Sequence, residues 1–354
     1  MREPPLVSVL VPVRNAAGDG GHGLRAAFHS LFAQTDAPDA PLPAWEIIAV
    51  DDGSTDATPA LLEDLAREDS RLRVIHTPHG GIAVALNTAL DAARGGLLAR
   101  MDADDLAHPQ RLARQVAHLR AHPGLDVSAC RVRFGGDAAT AGGFAHYVDW
   151  QNSLCSHAAM ARGRFRDTPI CHPSVMFRRE AAERFGAYAA GNFAEDWELW
   201  LRWFAAGARM EKLPEQLLVW NDPPGRLTRT DVRYADAANN ALRARWLARH
   251  LHHLGRTRVW VLGAGRVARR RLAPLWREGI ELAAFIDIDP KKIGQSVRVE
   301  TAQGLRPVPV LARRELPGPG RALVLNALTA HGAAEEAAHW LTTAGYGPDD
   351  WLLT

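Results

Sequence analysis

The residues best suited to chemistry are acidic, and they stand in three short groups. Asp102, Asp104 and Asp105 lie in the run MDADD. Carboxylates this close repel one another, and at a strand end a divalent cation makes such a cluster tolerable. Hard oxygen ligands suit Mg2+ or Mn2+, which commonly share their coordination between one or two carboxylates and a substrate's phosphates. Taken alone, the run could also be a solvated acidic turn capping the helix that begins near Pro109. Asp51 and Asp52 open DDGSTD, which could hydrogen-bond a ribose or a base edge, or simply turn the chain and cap a helix. Glu195 and Asp196 precede a helix carrying Trp197, Trp200 and Trp203. A carboxylate pair near aromatics can hold one base at a useful pKa. Acids at a helix start are equally favoured by the helix dipole, and tryptophans at this spacing fit a core better than a sugar platform.

A fourth pattern is glycine-rich. Gly263-Ala264-Gly265-Arg266-Val267-Ala268 follows a strand-like run and opens a helix, with Ala268 in the third glycine position and Asp287 ending the next strand. That is the dinucleotide-binding context: close backbone approach, a helix start for phosphate and an acid for ribose. NAD(P) or another nucleotide is one expectation here; a scaffold or docking module is the other, because the segment holds no evident partner for hydride transfer.

These residues need elements to position them. Leu6 to Val13, Trp45 to Val50, Arg73 to His76 and Leu97 to Met101 read as strands, and Leu24 to Gln34, Thr58 to Arg67 and Ile82 to Ala93 as helices. The alternation predicts a mainly parallel sheet covered on both faces, with Asn15, Asp51, Asp52, Asp102 and Asp104 at the strands' carboxyl ends, where sites in such sheets gather. Residues 134–168 are harder to read and suit an acceptor-side loop or subdomain. A second alternation starts at Arg258. The expected division is 1–225, a basic helical linker 226–256, and a smaller α/β domain 257–354.

Composition narrows the class. The chain has 354 residues, 47% hydrophobic and 23% charged, which excludes wholesale disorder and predicts two cores. No apolar run reaches a bilayer-spanning length, and the start lacks a signal-peptide pattern. Three cysteines without metal-ligand spacing suit a reducing compartment, so a cytoplasmic location is expected. The net charge of +2 conceals twelve arginines against two acids between Arg226 and Arg271. That stretch is either a solvated helix face or a surface for an anionic partner, such as a phosphate-bearing substrate or a membrane approached peripherally. Nucleic acid is not expected.

In order, the chain reads PVRN, EIIAVDDGSTDATPAL, GGIAVALNTAL, GLLARMDADDLAHPQRLARQV, HPSVMFRREAAERFGAY and EDWELWLR. Over residues 6–222 this closely resembles family 2 glycosyltransferases of the GT-A fold, followed by a small Rossmann-like domain. The resemblance implies a metal-dependent, inverting transfer of a sugar from a nucleotide-sugar donor, expected to be UDP-linked, to a glycan or lipid-linked acceptor. It implies Pro12, Arg14 and Asn15 in the nucleotide pocket, with Arg14 where the family often has an aromatic, and Asp52 on the base edge with Asp51 beside it. Asp104 is implied as metal ligand, Asp102 as ribose or metal contact, Asp196 as general base and Glu195 as its neighbour. Arg226 and Arg229 would meet the diphosphate; His172 and Trp197 are weaker acceptor candidates, and Gly263, Gly265, Ala268 and Asp287 a weaker second nucleotide site. The competing expectations are a catalytically silent nucleotide-sugar sensor working through the second domain, and an oxidoreductase using it.

Overall fold

The computed structural model describes residues 6–137, 141–223, 225–330 and 332–354. It divides into two compact units. The first comprises residues 1–161, 169–191 and 195–226; the second comprises 162–168, 192–194 and 227–354.

The first unit is built on strands β1 (Val7–Val13), β2 (Trp45–Asp52), β3 (Leu72–Thr77), β4 (Leu97–Arg100), β5 (Leu106–Ala107), β6 (Val127–Phe134), β7 (Met176–Arg178) and β8 (Met210–Trp220). They stand in the order β3-β2-β1-β4-β7-β6-β8-β5. The first four are mutually parallel, and β6 and β8 are parallel to each other. Strand β7 runs against β4 and β6, and β5 against β8. Helices α1 (His22–Phe32), α2 (Thr58–Glu68), α3 (Ile82–Ala92), α4 (Arg111–Ala121), α5 (Gly142–Ser153), α6 (His157–Gly163), α7 (Arg179–Phe185) and α8 (Glu195–Ala205) connect the strands.

Because both sheet faces are covered, the central strands are apolar without alternation. Val7, Val9 and Val11 of β1 and Ile47 and Ala49 of β2 join one core with Phe28 and Leu62. Leu10, Ile48 and Val50 point the other way, into a core with Leu86, Trp200 and Trp203. Register keeps the functional ends level: Val13 lies opposite Asp51, Asp51 opposite His76, and Leu10 opposite Arg100.

The opposite end of the sheet is fastened by a buried polar knot. Ser8 Oγ donates to Glu46 Oε1 at 2.8 Å and accepts from the Gly95 N–H at 2.8 Å. Glu46 also accepts from Arg94 Nε at 3.0 Å. Gly95 is packed against β1 so closely that a Cβ there would meet Ser8 N at 2.7 Å and Leu6 O at 2.8 Å, whereas one on Gly96 meets nothing within 4 Å.

The second unit carries β9 (Arg258–Leu262), β10 (Glu281–Asp287), β11 (Ser296–Thr301), β12 (Gly304–Ala312), β13 (Leu323–Asn326) and β14 (Trp351–Leu353), in the order β11-β12-β10-β9-β13-β14. All pairs are parallel except β11 with β12. The chain leaves β9 first toward β10 and later toward β13, the doubly wound arrangement with its switch point beside the first strand. Helices α9 (Leu227–Thr230), α10 (Asp236–His253), α11 (Arg266–Leu272) and α12 (Ala333–Thr343) complete it. Among the described residues no helix is long and apolar enough to cross a membrane.

The two adjacent glycines give a direct test. Gly95→Ala should destabilise by about 2–3 kcal/mol, the scale of an overpacked site, because the obstructing atoms are backbone. Gly96→Ala should stay within about 1 kcal/mol. Urea denaturation of both variants measures the difference.

Candidate active site

Asp102, Asp104 and Asp105 each bring a carboxylate oxygen to within 4.8 Å of the others, just beyond the end of β4. The loop is held from below and from the side. Arg111, fully buried on α4, donates through NH2 to Arg100 O at 2.7 Å, fixing the last turn of β4, and through Nε to Gln115 at 3.1 Å. Asn221, just past β8, donates its N–H to Asp105 Oδ1 at 2.9 Å and its side-chain amide to Asp104 O at 2.6 Å. Arg100 pairs with Asp102 at 2.5 Å.

The electrostatics are those of crowded acids. Burial, then the charge of Asp102, pushes the Asp104 carboxyl up to about 6, against the pull of Arg226 and Arg100. Asp105 is raised by burial and then by Asp102 and Asp104. Its Oδ2 is buried and has no hydrogen-bond partner. A set of hard oxygen donors with one orphaned carboxylate oxygen and mutually raised pKa values fits a divalent cation.

Glu195 and Asp196 form the first turn of α8, and Asp196 Oδ1 accepts the Trp197 N–H at 2.7 Å. Tyr188 connects this pair to the aspartate cluster. Its buried hydroxyl is raised by burial, and the charges of Glu195, Asp196 and Asp102 all bear on it, with Arg100 opposing them. Acids far apart along the chain thus both act electrostatically on this one hydroxyl. Tyr188 Oη also meets His172 Nε2 at 2.9 Å, and the His172 ring packs edge-on against Trp200. His172 is only 5% exposed and Trp197 only 2%. The indole of Trp197 is therefore interior, which removes it as an acceptor platform, and His172 supports the site from beneath.

At the ends of β1 and β2 the carboxylates are saturated. Asp52 accepts from Gly80 N at 2.7 Å, from Gly81 N at 2.9 Å and from His79 Nδ1 at 2.9 Å. The other His79 nitrogen meets Arg14 NH1 at 2.8 Å. Since Arg14 can only donate, His79 accepts at Nε2 and donates at Nδ1. Asp51 accepts from Ser54 N at 3.1 Å and pairs with His76 at 2.9 Å; His76, held also by Glu63, has its pKa raised by both acids. The rest of DDGSTD stitches the two loops: Ser54 and Asp56 accept from Asn15 N and Ala17 N, and Thr55 N donates to Asn15 Oδ1. Gly53 turns the chain at φ +65°, and a Cβ there would meet His79 N at 2.6 Å. Pro12 lies in β1 opposite Val50.

The model of the family described as "Glycosyl transferase family 2" matches residues 8–186. The chain belongs to this family. It is 31% identical over 222 residues to EpsE of Bacillus subtilis (strain 168), a protein named as a glycosyltransferase, spanning 61% of this chain and 73% of that one. It is 28% identical over 217 residues to the amylovoran biosynthesis glycosyltransferase AmsE of Erwinia amylovora, spanning 60% of this chain and 75% of AmsE. Among solved structures, mannosyltransferase PcManGT from Pyrobaculum calidifontis, in complex with GDP-Man and Mn2+, superposes with a TM-score of 0.50 at 24% identity, covering 72% of this chain and 65% of that one. The fold is thus GT-A, and the protein is a glycosyltransferase.

In this transferase several site residues carry no local sequence signal. Arg100, Tyr188, Asn221 and His79 act through partners distant in the chain; only the polar residue ending an apolar strand, as Arg100 does, hinted at a role. Arg226 ion-pairs with Asp222 at 3.3 Å, lies over the Trp220 ring at 4.5 Å, and its charge reaches Asp104. Arg229 belongs to the second unit, in α9. There, Asp287 accepts from Ala264 N and Lys292 Nζ on one oxygen and from Ile288 N and Asp289 N on the other. It closes the Gly263–Gly265 loop onto β10 rather than standing free for a ribose. Ala268 is buried, and α11 is a short helix of 7 residues.

Burial, and then the charge of Arg100, holds His172 well below the ordinary histidine range. It is neutral when folded and protonated when unfolded at mildly acid pH. Its contribution is therefore lost as pH falls through the unfolded value. Between pH 7.5 and 5.5 this should cost about 1 kcal/mol, and His172→Gln should flatten the pH dependence of urea denaturation by that amount.

Proposed function

We propose that this transferase is metal-dependent and inverting, and moves a sugar from a UDP-linked donor to a glycan or lipid-linked acceptor in polysaccharide assembly. What supports the reading is the cluster of Asp102, Asp104 and Asp105 carboxylates at the end of β4, with the charges of Asp102, Glu195 and Asp196 all bearing on the buried Tyr188 hydroxyl. A cation site and a candidate base then flank one space in which a sugar can sit. The naming of AmsE for amylovoran biosynthesis supports a polysaccharide acceptor. A cytoplasmic chain meeting a lipid-linked acceptor at a membrane face fits the same reading.

In this mechanism Asp104, with Asp102 and Asp105, holds Mg2+ or Mn2+. Such an ion supplies charge compensation for the departing nucleoside diphosphate. Arg226 adds a fixed positive charge on the same side. Pro12, Arg14 and Asn15 border the nucleotide, and Asp52 frames the pocket by fixing His79 and the start of α3. Asp196 takes the proton of the acceptor hydroxyl as its oxygen bonds to the sugar C1. The bond from C1 to the phosphate oxygen breaks with its electron pair leaving on the diphosphate, so configuration at C1 inverts. The acceptor must approach from the α8 side, opposite the diphosphate.

Two substitutions separate the roles. Asp196→Asn should lower kcat by about 100-fold or more while leaving the donor KM within a few fold. Asp104→Asn should abolish transfer and Mn2+-dependent nucleotide binding together. Transfer assayed with UDP-sugars and Mn2+, with EDTA as control, checks both. Retention of near-normal turnover by Asp196→Asn would assign the base elsewhere.

A further inference from the structure

Arg100 is the last residue of β4, and its side chain is only 3% exposed. Its one hydrogen-bonded partner is a carboxylate, Asp102, at 2.5 Å. Two other arginines of this unit each donate to several backbone carbonyls. Arg179 donates to the carbonyls of Ala93 and Gly95, and Arg202 to those of Phe185, Gly186 and Ala187. Arg100 instead leaves Nε and NH1 buried without a hydrogen-bond partner. A guanidinium kept in that condition is held for its charge rather than as a fastener.

The charge acts on the whole cluster. Arg100 bears on Asp102, Asp105 and Asp104, and it helps to keep the nearby His172 imidazole neutral. Arg226 faces the same acids from the end of β8. The Arg100 guanidinium thus already offsets part of the negative charge that would draw an incoming divalent ion. One of the three would-be ligands is already paired. A donor diphosphate brings the missing negative charge and the missing oxygen ligands together.

We propose that Arg100 is a built-in counter-ion that keeps the Asp102–Asp104–Asp105 site weak for a cation alone and makes cation loading depend on the donor's diphosphate. Arg100 is a positioning residue in this role: it touches Asp102, not the substrate. The inference rests on the metal reading given above, and the following experiment separates the two.

Mn2+ binding to the full chain is followed by loss of the free Mn2+ electron paramagnetic resonance signal, without nucleotide and with saturating UDP or GDP. The wild-type chain should bind Mn2+ at least about tenfold more tightly with nucleotide than without it. Arg100→Gln should bind Mn2+ alone at least about tenfold more tightly than wild type and lose most of the nucleotide effect. Arg100→Lys, which keeps the charge, should stay close to wild type. Arg100→Gln that unfolds in EDTA but is restored by Mn2+ alone also supports the proposal, since the ion then replaces the guanidinium. Equal Mn2+ affinity in wild type and Arg100→Gln overturns it. So does a wild-type chain that binds Mn2+ equally well with and without nucleotide, a result that needs no variant at all. Absence of Mn2+ binding in every state, with UDP and with GDP, instead removes the metal reading and the inference with it.

Discussion

Acids gathered at one strand end resist being there, and the first unit is organised around containing that resistance. Burial and mutual repulsion raise Asp104 and Asp105 together. Left alone, the loop would take up protons or open toward water. Cations oppose that tendency from two elements, Arg100 from β4 and Arg226 from beyond β8, while Asn221 ties the loop down through main-chain and side-chain bonds. The containment reaches deeper. The Arg100 carbonyl is gripped by Arg111, and Gln115 beside it donates to the carbonyls of Ser128 and Ser174. Those bonds tie α4 to β6 and to the turn before β7. The sheet's antiparallel insertion at β7 is therefore part of the same device, since it brings Val175 O to the Arg100 N–H.

The nucleotide side follows the opposite logic. Asp51 and Asp52 are more deeply buried than Asp102 and Asp104, yet backbone N–H groups and imidazoles meet their oxygens. They are satisfied without any ligand, so they supply a rigid, pre-organised frame. The cation side is incomplete by itself and is finished by what binds. On the proposed reading, the nucleotide side is fixed in advance while the charge balance of the cation side waits for the substrate. Asp102 and Tyr188 lie where that second side meets the α8 acids.

The sequence reading reached the alternating elements, because a strand buried on both faces reads as an uninterrupted apolar run. It also reached the acidic groups, since acids after such runs are conspicuous. Direction was less accessible: β7 is three residues long, and nothing in Met-Phe-Arg says that it runs against its neighbours. Partners were less accessible still. The run DDGSTD could hydrogen-bond a ribose or turn the chain, and in the fold Ser54 and, just past the run, Thr58 accept from the β1 loop some forty residues away in the chain. The three tryptophans of α8 share helical spacing with a platform and with a core, and only burial separates the two. Arg100, a polar residue ending an apolar strand, offered little signal, because its meaning comes from three-dimensional neighbours such as Asp102 and Val175.

The arginine-rich stretch shows why a charge count is a poor guide to a surface. Of the twelve arginines between Arg226 and Arg271, five are ion-paired: Arg226 with Asp222, Arg233 with Asp231, Arg256 with Asp350, Arg258 with Glu281 and Arg270 with Asp236. Two more turn inward. Arg243 donates to the carbonyls of Phe165 and Arg166, and Arg271 to that of Arg166. Burial lowers the pKa of both, that of Arg243 to about 9. Acids from outside the stretch, Asp222, Glu281 and Asp350, therefore compensate much of what the linear count leaves unbalanced. The inward pair serves folding: it fastens residues 162–168 to α10 and α11, and so draws a segment embedded in the first half of the chain into the second unit.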